Sequence, residues 1–357
     1  MAKITFSSVG QSYDGNPDES TWALRPIDVV FEPGFTYGLV GPSGSGKTTM
    51  LNLISGIVRP TQGQIYFDET DVTNVPTAKR NVAQVFQFPT IYKQMTVFDN
   101  LAFPLTCRKW PKAEVKERVE GIAEQIGLGD TLGKSANNLR ADEKQLVSLG
   151  RGLVRDDVSA LLMDEPLTVI DPQYKAELRR KIKKIVQGKD ITIIYVTHDQ
   201  YEAMTFANEI FVMNVGSLVQ RGGPEELFER PITRYVGNFI GSPAMNFLRG
   251  LVEQNQISVA GQRLDLATNV SNFAGAEVEV GIRPEYVQVT EAGGPNVITA
   301  EHIAVSDMGS TRVLNCEYGG DVIRAKILRD EPVPKLGPIK LFLPPDKVLA
   351  YRDGHLV

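Results

Sequence analysis

Up to about residue 235 the chain alternates short β-rich apolar runs with longer amphipathic stretches, the texture of a parallel-sheet α/β domain. The apolar runs predict strands over 37–40, 82–86, 160–163, 191–196 and 209–213. In QYKAELRRKIKKIV, at 173–186, Tyr174, Leu178, Ile182 and Ile185 recur at helical spacing. They put one apolar face on a helix whose other face carries lysines and arginines. That basic face reads as a solvated surface rather than a nucleic-acid contact.

The segment 91–138 reads differently. It includes KAEVKERVEGIAEQIGL, a helical pattern without β-rich runs, so an all-helical insert within the α/β domain is expected. Beyond about Gly241 the texture changes again. Gly241, Ser242 and Pro243 punctuate the chain, and EVEVGI at 277–282 alternates with period two. TRVLNCEYGGDVIRAKI at 311–327 predicts a hairpin turning at Gly319 and Gly320. Many short strands separated by Gly and Pro suggest a small β-barrel domain. The expected organisation is an α/β domain over 1–240, with its helical part over about 91–150, followed by an all-β domain over 241–357. No low-complexity segment and no repeat of 20 to 50 residues interrupts this plan.

Composition narrows the picture. At 357 residues the chain exceeds one ordinary domain, and 42% hydrophobic with 23% charged residues suits a globular protein with a substantial core. A net charge of −5 supplies no basic footprint for general nucleic-acid binding. The two cysteines, Cys107 and Cys316, are far apart, have no metal-like spacing and favour a reducing cytosol. MAKITFSSVG lacks the apolar core of a signal peptide. Runs such as SALLM and ITIIYV are too short to span a bilayer, so any membrane role is expected through a partner.

The chemistry concentrates at predicted strand ends. GPSGSGKTT at 41–49 follows the apolar run TYGLV and fits G-x-x-x-x-G-K-[ST], with Gly41, Gly46, Lys47 and Thr48 at the required positions. Backbone N–H groups must point inward at close range to hold a phosphate, and a glycine-rich turn allows that curl. Ser43, Gly44, Ser45 and Thr49 complete the loop and the first turn of the following helix. Lys47 is placed to reach the β/γ-phosphates and Thr48 to ligate Mg²⁺. The plain alternative is a turn that merely joins a strand to a helix.

ALLMDEP at 160–166 is an apolar strand ending in two carboxylates. Asp164 can hold Mg²⁺ directly or through water, and Glu165, one residue further out, can orient or deprotonate an attacking water. VTHD at 196–199 delivers His198, one of three histidines, to the same kind of edge, where it can sense a γ-phosphate. A solvated acidic turn and a structural histidine are the alternatives.

Together these strings resemble the ATP-binding-cassette (ABC) ATPases, in particular the subunits of carbohydrate and polyol importers of the maltose-transporter type. The resemblance covers nearly the whole chain. It implies an ABC core with a helical subdomain and a C-terminal OB-like, TOBE-type domain; NEIFVMNVGSLVQRGGPEELFERP and GIRPEYV resemble that importer subfamily, and GIRPEYV marks the C-terminal domain. By the same resemblance Tyr13, in VGQSYDGN, stacks on adenine, and Gln87, in VFQFP, touches Mg²⁺ or water and senses the transporter. Asp171, in TVIDP, matches the D-loop aspartate, Glu165 the catalytic glutamate and His198 the switch histidine. ATP and Mg²⁺ are the implied cofactors.

One departure stands out. The family's LSGGQ, whose amides close over the γ-phosphate of the facing subunit, aligns with LRADE: Leu139 is kept and Arg140, Ala141, Asp142 and Glu143 replace the rest. A helix start rich in glycine is an anion site, whereas two carboxylates there repel a triphosphate. The expectation is therefore an importer ATPase on the cytoplasmic face of the inner membrane. It would pair with a second, non-identical ATPase subunit, dock on transmembrane permease subunits and serve a solute-binding protein indirectly. A nucleotide-binding subunit with weak or no hydrolysis is the alternative; a soluble ABC protein of translation or DNA repair is disfavoured, because this chain has one cassette and an importer-like tail. Substrates left open are sugars, glycerol and glycerol phosphate.

Overall fold

The computed structural model describes all residues except 1, 15, 16, 19 and 187–190. It divides into two compact units, Met1–Pro224 and Glu225–Val357. The first unit contains β1 (Ile4–Ser12), β2 (Trp22–Phe31), β3 (Thr36–Val40), α1 (Lys47–Ser55), β4 (Gln62–Phe67), β5 (Thr70–Asp71) and β6 (Val82–Val85). After these come α2 (Val97–Cys107), α3 (Lys112–Ile126), α4 (Ala141–Leu153), β7 (Ala160–Asp164), α5 (Pro172–Val186), β8 (Thr192–Val196), α6 (Gln200–Phe206), β9 (Glu209–Asn214) and β10 (Ser217–Gly222).

The five strands predicted from apolar runs are β3, β6, β7, β8 and β9, each within a residue or so of its expected bounds. They lie in one sheet, in the order β10-β9-β3-β8-β7-β6, parallel except for the β9–β10 hairpin. Strands buried on both faces read as continuous apolar runs, and Leu161, Leu162, Met163, Ile194 and Val196 are all fully buried. One face is covered by α1 and by a second, antiparallel sheet, β2-β1-β4-β5, whose Ile4, Phe6, Phe31 and Ile65 join a shared core with Leu39, Met50 and Leu51. The other face is covered by α2 to α5.

Helix boundaries follow local chemistry. Thr96 and Asp99 form a capping box at the start of α2, and Gly127, at φ 69°, ends α3. Val115, Val119, Ile122 and Ile126 bury one stripe of α3, each adding about 1.5–3 kcal/mol if fully buried. The segment 91–138 is helical as expected, with no named strand among the described residues. On α5, Leu178, Ile182 and Ile185 are buried, while Tyr174 in the first turn is exposed.

In the second unit α7 (Pro224–Glu229), which opens at the junction, and α8 (Arg234–Phe239) precede β11 (Asn246–Glu253), β12 (Gln256–Val259), β13 (Gln262–Leu264), β14 (Glu277–Ile282) and β15 (Gln288–Thr290). The chain continues through β16 (Val297–Asp307), β17 (Thr311–Tyr318), β18 (Asp321–Leu328), β19 (Gly337–Phe342), β20 (Leu349–Arg352) and β21 (His355–Leu356). Two antiparallel sheets, β13-β12-β11-β14-β20-β21 and β15-β19-β16-β17-β18, enclose one apolar core. The hairpin turns where expected: Tyr318 pairs with Asp321, and Gly319 and Gly320 take φ 60° and 86°, as a two-residue turn of primed type requires.

By packing, this unit begins at Glu225 rather than at 241. The reason is Arg283 on the β14 side, buried at 1% exposure. Its guanidinium donates to the carbonyls of Phe228, Gly237 and Ile240 and stands over the Phe228 ring. The helices before 241 are thereby tied to the strands after it.

Candidate functional site

The run 41–49 forms the loop between β3 and α1 and the first residues of α1. Three of its glycines have positive φ: 152° at Gly41, 79° at Gly44 and 98° at Gly46. They serve different ends. A Cβ at Gly41 would meet the Met213 carbonyl oxygen at 2.3 Å, and one at Gly46 the Ala23 carbonyl oxygen at 2.5 Å. Gly44, at the exposed crest, would meet nothing within 4 Å and is required by its left-handed backbone alone. Ser43 is exposed beside it, and Ser45 is buried.

Lys47 folds into this loop, donating to the carbonyls of Gly41 at 2.9 Å and Pro42 at 2.8 Å and to Ser45 Oγ at 3.3 Å. Burial holds its ammonium below the ordinary lysine value, against the attraction of Glu165 and Asp164. Burial likewise lifts the Asp164 carboxyl; the Thr48 hydrogen bond opposes that rise and the Glu165 charge adds to it. Lys47 and Asp164 thus attract each other, but burial outweighs that attraction at both.

Thr48 Oγ1 donates to Asp164 Oδ1 at 3.2 Å, joining α1 to the end of β7. Adjacent oxygens around Mg²⁺ lie about 3 Å apart, and Mg²⁺ is held by one or two protein oxygens together with phosphates and waters. The pair fits that donor set. No group of three or more His, Cys, Asp or Glu side chains converges on a metal site among the described residues, so an all-protein cage is not what this edge offers.

Glu165 follows β7 at φ 45°, an unusual backbone for a glutamate, fixed by its N–H donating to the Val196 carbonyl at 2.9 Å. Its Oε2 accepts from Thr168 Oγ1 at 3.0 Å and lies 3.2 Å from His198 Nδ1. Glu165 is mostly buried and His198 is 57% exposed. Lys47, Thr48, Asp164, Glu165 and His198 therefore meet at the carboxyl ends of β3, β7 and β8, the edge where open α/β sheets bind ligands.

The remaining predicted residues stand further out. Gln87 is half-buried just beyond the end of β6, on the same edge. Tyr13 is 64% exposed, with its hydroxyl 3.5 Å from Thr49 Oγ1. Asp171 is exposed, and its carboxylate accepts from the Gln173 N–H at 3.2 Å, capping α5 instead of reaching the acidic pair.

The altered signature segment opens α4 and satisfies itself. Glu143 accepts from the Arg140 N–H at 2.9 Å, and the Arg140 guanidinium lies 3.0 Å from Asp142 and 3.6 Å from Glu143. An N–H that could have met a phosphate is thus taken, and the local charge is net negative.

Sequence reasoning passed over Thr168, which holds the Glu165 carboxylate, and Glu202 with Thr197, behind His198. A lone hydroxyl three residues after a glutamate carries no signal. The polar Glu202 in the first turn after THD did, since a charged residue there is ordinary only if it is solvated.

Comparison with known proteins agrees with this geometry. The model of the ABC transporter family matches residues 24–168, and that of the MalK OB fold domain matches 241–287. The trehalose/maltose import ATP-binding protein MalK of Thermococcus litoralis is 39% identical over 317 residues, 84% of this chain and 85% of that protein. The sn-glycerol-3-phosphate import ATP-binding protein UgpC of Pectobacterium atrosepticum is 35% identical over 347 residues, 94% of this chain and 93% of that protein. The solved structure of cbiO1 from Clostridium perfringens, part of the ABC transporter complex cbiONQ, matches with a TM-score of 0.58 at 25% identity, covering 64% of this chain and 90% of that one. With its P-loop cassette, its β-rich second unit and relatives this extensive, the chain belongs to the ABC transporter family as an import-type ATPase subunit.

Proposed function

We propose that this chain binds and hydrolyses ATP to energise import of a carbohydrate or polyol, glycerol phosphate included, from the cytoplasmic face of the inner membrane. The observation that carries the reading is geometric: Lys47 lies buried among the carbonyls of a glycine-rich loop, and beside it Thr48 Oγ1 meets Asp164 Oδ1 at 3.2 Å where α1 reaches the end of β7. Lys47 and the loop amides would bind the β/γ-phosphates, Tyr13 the base, and Thr48 and Asp164 the Mg²⁺, with Gln87 reaching its water shell. Bound Mg²⁺ would neutralise charge developing on the phosphates. Glu165 would orient or deprotonate the attacking water, and His198, held against Glu165, would sense the γ-phosphate. Asp171 would contribute at the dimer face. Relatives named for maltose, trehalose and glycerol-phosphate import support the substrate class.

No helix among the described residues is long and apolar enough to cross a membrane, which supports docking on separate permease subunits and only indirect service to a solute-binding protein. The self-satisfied start of α4 favours pairing with a second, non-identical ATPase subunit. In a homodimer both composite sites would face Arg140, Asp142 and Glu143, whereas a partner with an ordinary signature would complete one site against this chain's Lys47 and Glu165. The same observation keeps open a weaker reading, in which this chain binds nucleotide and supports a catalytic partner. Isolating the transporter through a tag on this chain decides between them: two distinct ATPase chains in equal amounts are expected, and Glu165→Gln here is expected to remove most turnover. A fully active complex with two copies of this chain and no other ATPase would overturn the pairing. Turnover indifferent to Glu165→Gln would favour the supporting role.

A further inference from the structure

Behind His198 sits a carboxylate that the chemistry above does not use. Glu202 lies in the first turn of α6 and is 4% exposed. Its Oε2 accepts from the Tyr195 hydroxyl at 2.9 Å and from Thr197 Oγ1 at 2.7 Å, both on the β8 side. Thr197 Oγ1 in turn accepts from the Asp199 N–H at 3.0 Å, and the Thr197 N–H donates to the Leu39 carbonyl of β3 at 3.1 Å. The Asp199 carboxylate caps α6, accepting from the N–H groups of Tyr201 at 2.8 Å and Glu202 at 3.4 Å. Of the two backbone neighbours of His198, Thr197 bonds the buried carboxylate directly and Asp199 through the Thr197 hydroxyl, while the exposed imidazole lies against Glu165.

A carboxylate in a protein interior is costly unless fully hydrogen-bonded, and an apolar side chain could fill the space between β8 and α6 without that cost. Directional bonds give something apolar packing does not: they fix the angle at which the strand end hands over to the helix. Burial, reinforced by the Glu202 charge, pushes the Tyr195 phenol well above its ordinary value, so that it stays a donor.

We propose that Glu202 is a positioning residue for hydrolysis, holding His198 against Glu165 through Thr197 and Asp199. This rests on the roles of His198 and Glu165 given above. The test uses the full chain in its isolated transporter, measuring kcat and KM for ATP. Glu202→Ala is expected to lower kcat on the order of tenfold, as misplacement of a reacting group does, with KM for ATP within about twofold because the phosphate loop is untouched. In a His198→Ala background the same change is expected to lower kcat by less than about twofold more, since the residue it positions is gone. Thr197→Ser is expected to keep the activity that Thr197→Val loses, which a merely space-filling role would not produce.

Should Glu202→Ala fail to fold, Glu202→Gln and the Thr197 pair carry the same comparison. An unchanged kcat, or equal losses with and without His198, overturns the proposal while leaving the site reading intact. If His198→Ala and Glu165→Gln themselves leave turnover unchanged, the site reading fails and this inference falls with it.

Discussion

His198 Nδ1 lies 3.2 Å from Glu165 Oε2, linking the ends of the adjacent parallel strands β8 and β7. The contact depends on a glutamate backbone at φ 45°, held by the Val196 carbonyl. Both residues follow strands from the same sheet, so the sheet's register sets the distance between them.

Replacing Glu165 by glutamine keeps the shape and removes the proposed base. ATP turnover is expected to fall by about 10² to 10⁴, the usual contribution of general acid–base catalysis, with nucleotide affinity retained. Steady-state hydrolysis set beside equilibrium binding of ATP checks both halves; equal losses in the two would contradict the assigned role.

Lys47→Ala takes away the buried ammonium that faces the loop carbonyls. Measurable ATP binding is expected to disappear, a loss of at least about 100-fold, because that charge is the one proposed to meet the β/γ-phosphates. Calorimetric titration with ATP would reveal wild-type affinity if the loop assignment were wrong.

Asp164 gives a pH signature. Burial holds its carboxyl above the ordinary carboxylate value in the folded state, so its ionisation opposes folding at neutral pH and the cost fades as pH falls into the carboxylate range. Without nucleotide, Asp164→Asn is expected to unfold at a higher temperature than wild type at pH 7 to 8, with the difference shrinking towards pH 4. Saturating Mg-ATP should reverse the order, because it stabilises only the chain that holds the cation. Thermal scans across pH, with and without Mg-ATP, read both effects.

The start of α4 can be rebuilt. Arg140→Ser, Ala141→Gly, Asp142→Gly and Glu143→Gln together remove the Arg140–Asp142 and Arg140–Glu143 contacts and free the helix amides. In a transporter with one complete site, turnover is expected to rise about twofold as the second becomes able to close on a phosphate. ATPase rates of the two complexes at saturating ATP decide it, and no rise would mean the native segment already serves.

Arg283→Ala takes the guanidinium from the carbonyls of Phe228, Gly237 and Ile240 inside the second unit, leaving Gly237 with the Met245 N–H at 3.2 Å. A loss of about 3 kcal/mol or more is expected for that unit's folding, seen by denaturant unfolding with a probe in the C-terminal strands.

The parallel strands were legible because burial on both faces makes them unbroken apolar runs, as in β7 and β8. The antiparallel strands β1 and β2 were not. The β1 pairing is interrupted by register shifts after Phe6, and the strand buries polar Gln11 and Ser12; β2 carries Arg25, Pro26 and Asp28 among its apolar positions. The placement of the phosphate loop, Asp164, Glu165 and His198 at strand ends was legible because the chemistry proposed for them needs fixed spacing next to strands. Tertiary relationships were not: the backbone of Glu165, the Thr168 bond and the burial of Glu202 arise from chain neighbours across the fold. The packing of 225–240 with the strands was not legible for the same reason, since Arg283 lies more than 40 residues along the chain from the helices it holds.

Arg283 also decides where this chain can be divided and its parts exchanged. A fragment cut at Gly241 would keep the guanidinium and discard the carbonyls it serves together with the Phe228 ring that covers it, so the apolar surroundings of Arg283 would open to water. Recombination between related subunits that swapped sequence at 241 would mismatch the same lock. Crossovers near Pro224 would carry lock and key together, making residues 225–357 the inheritable piece.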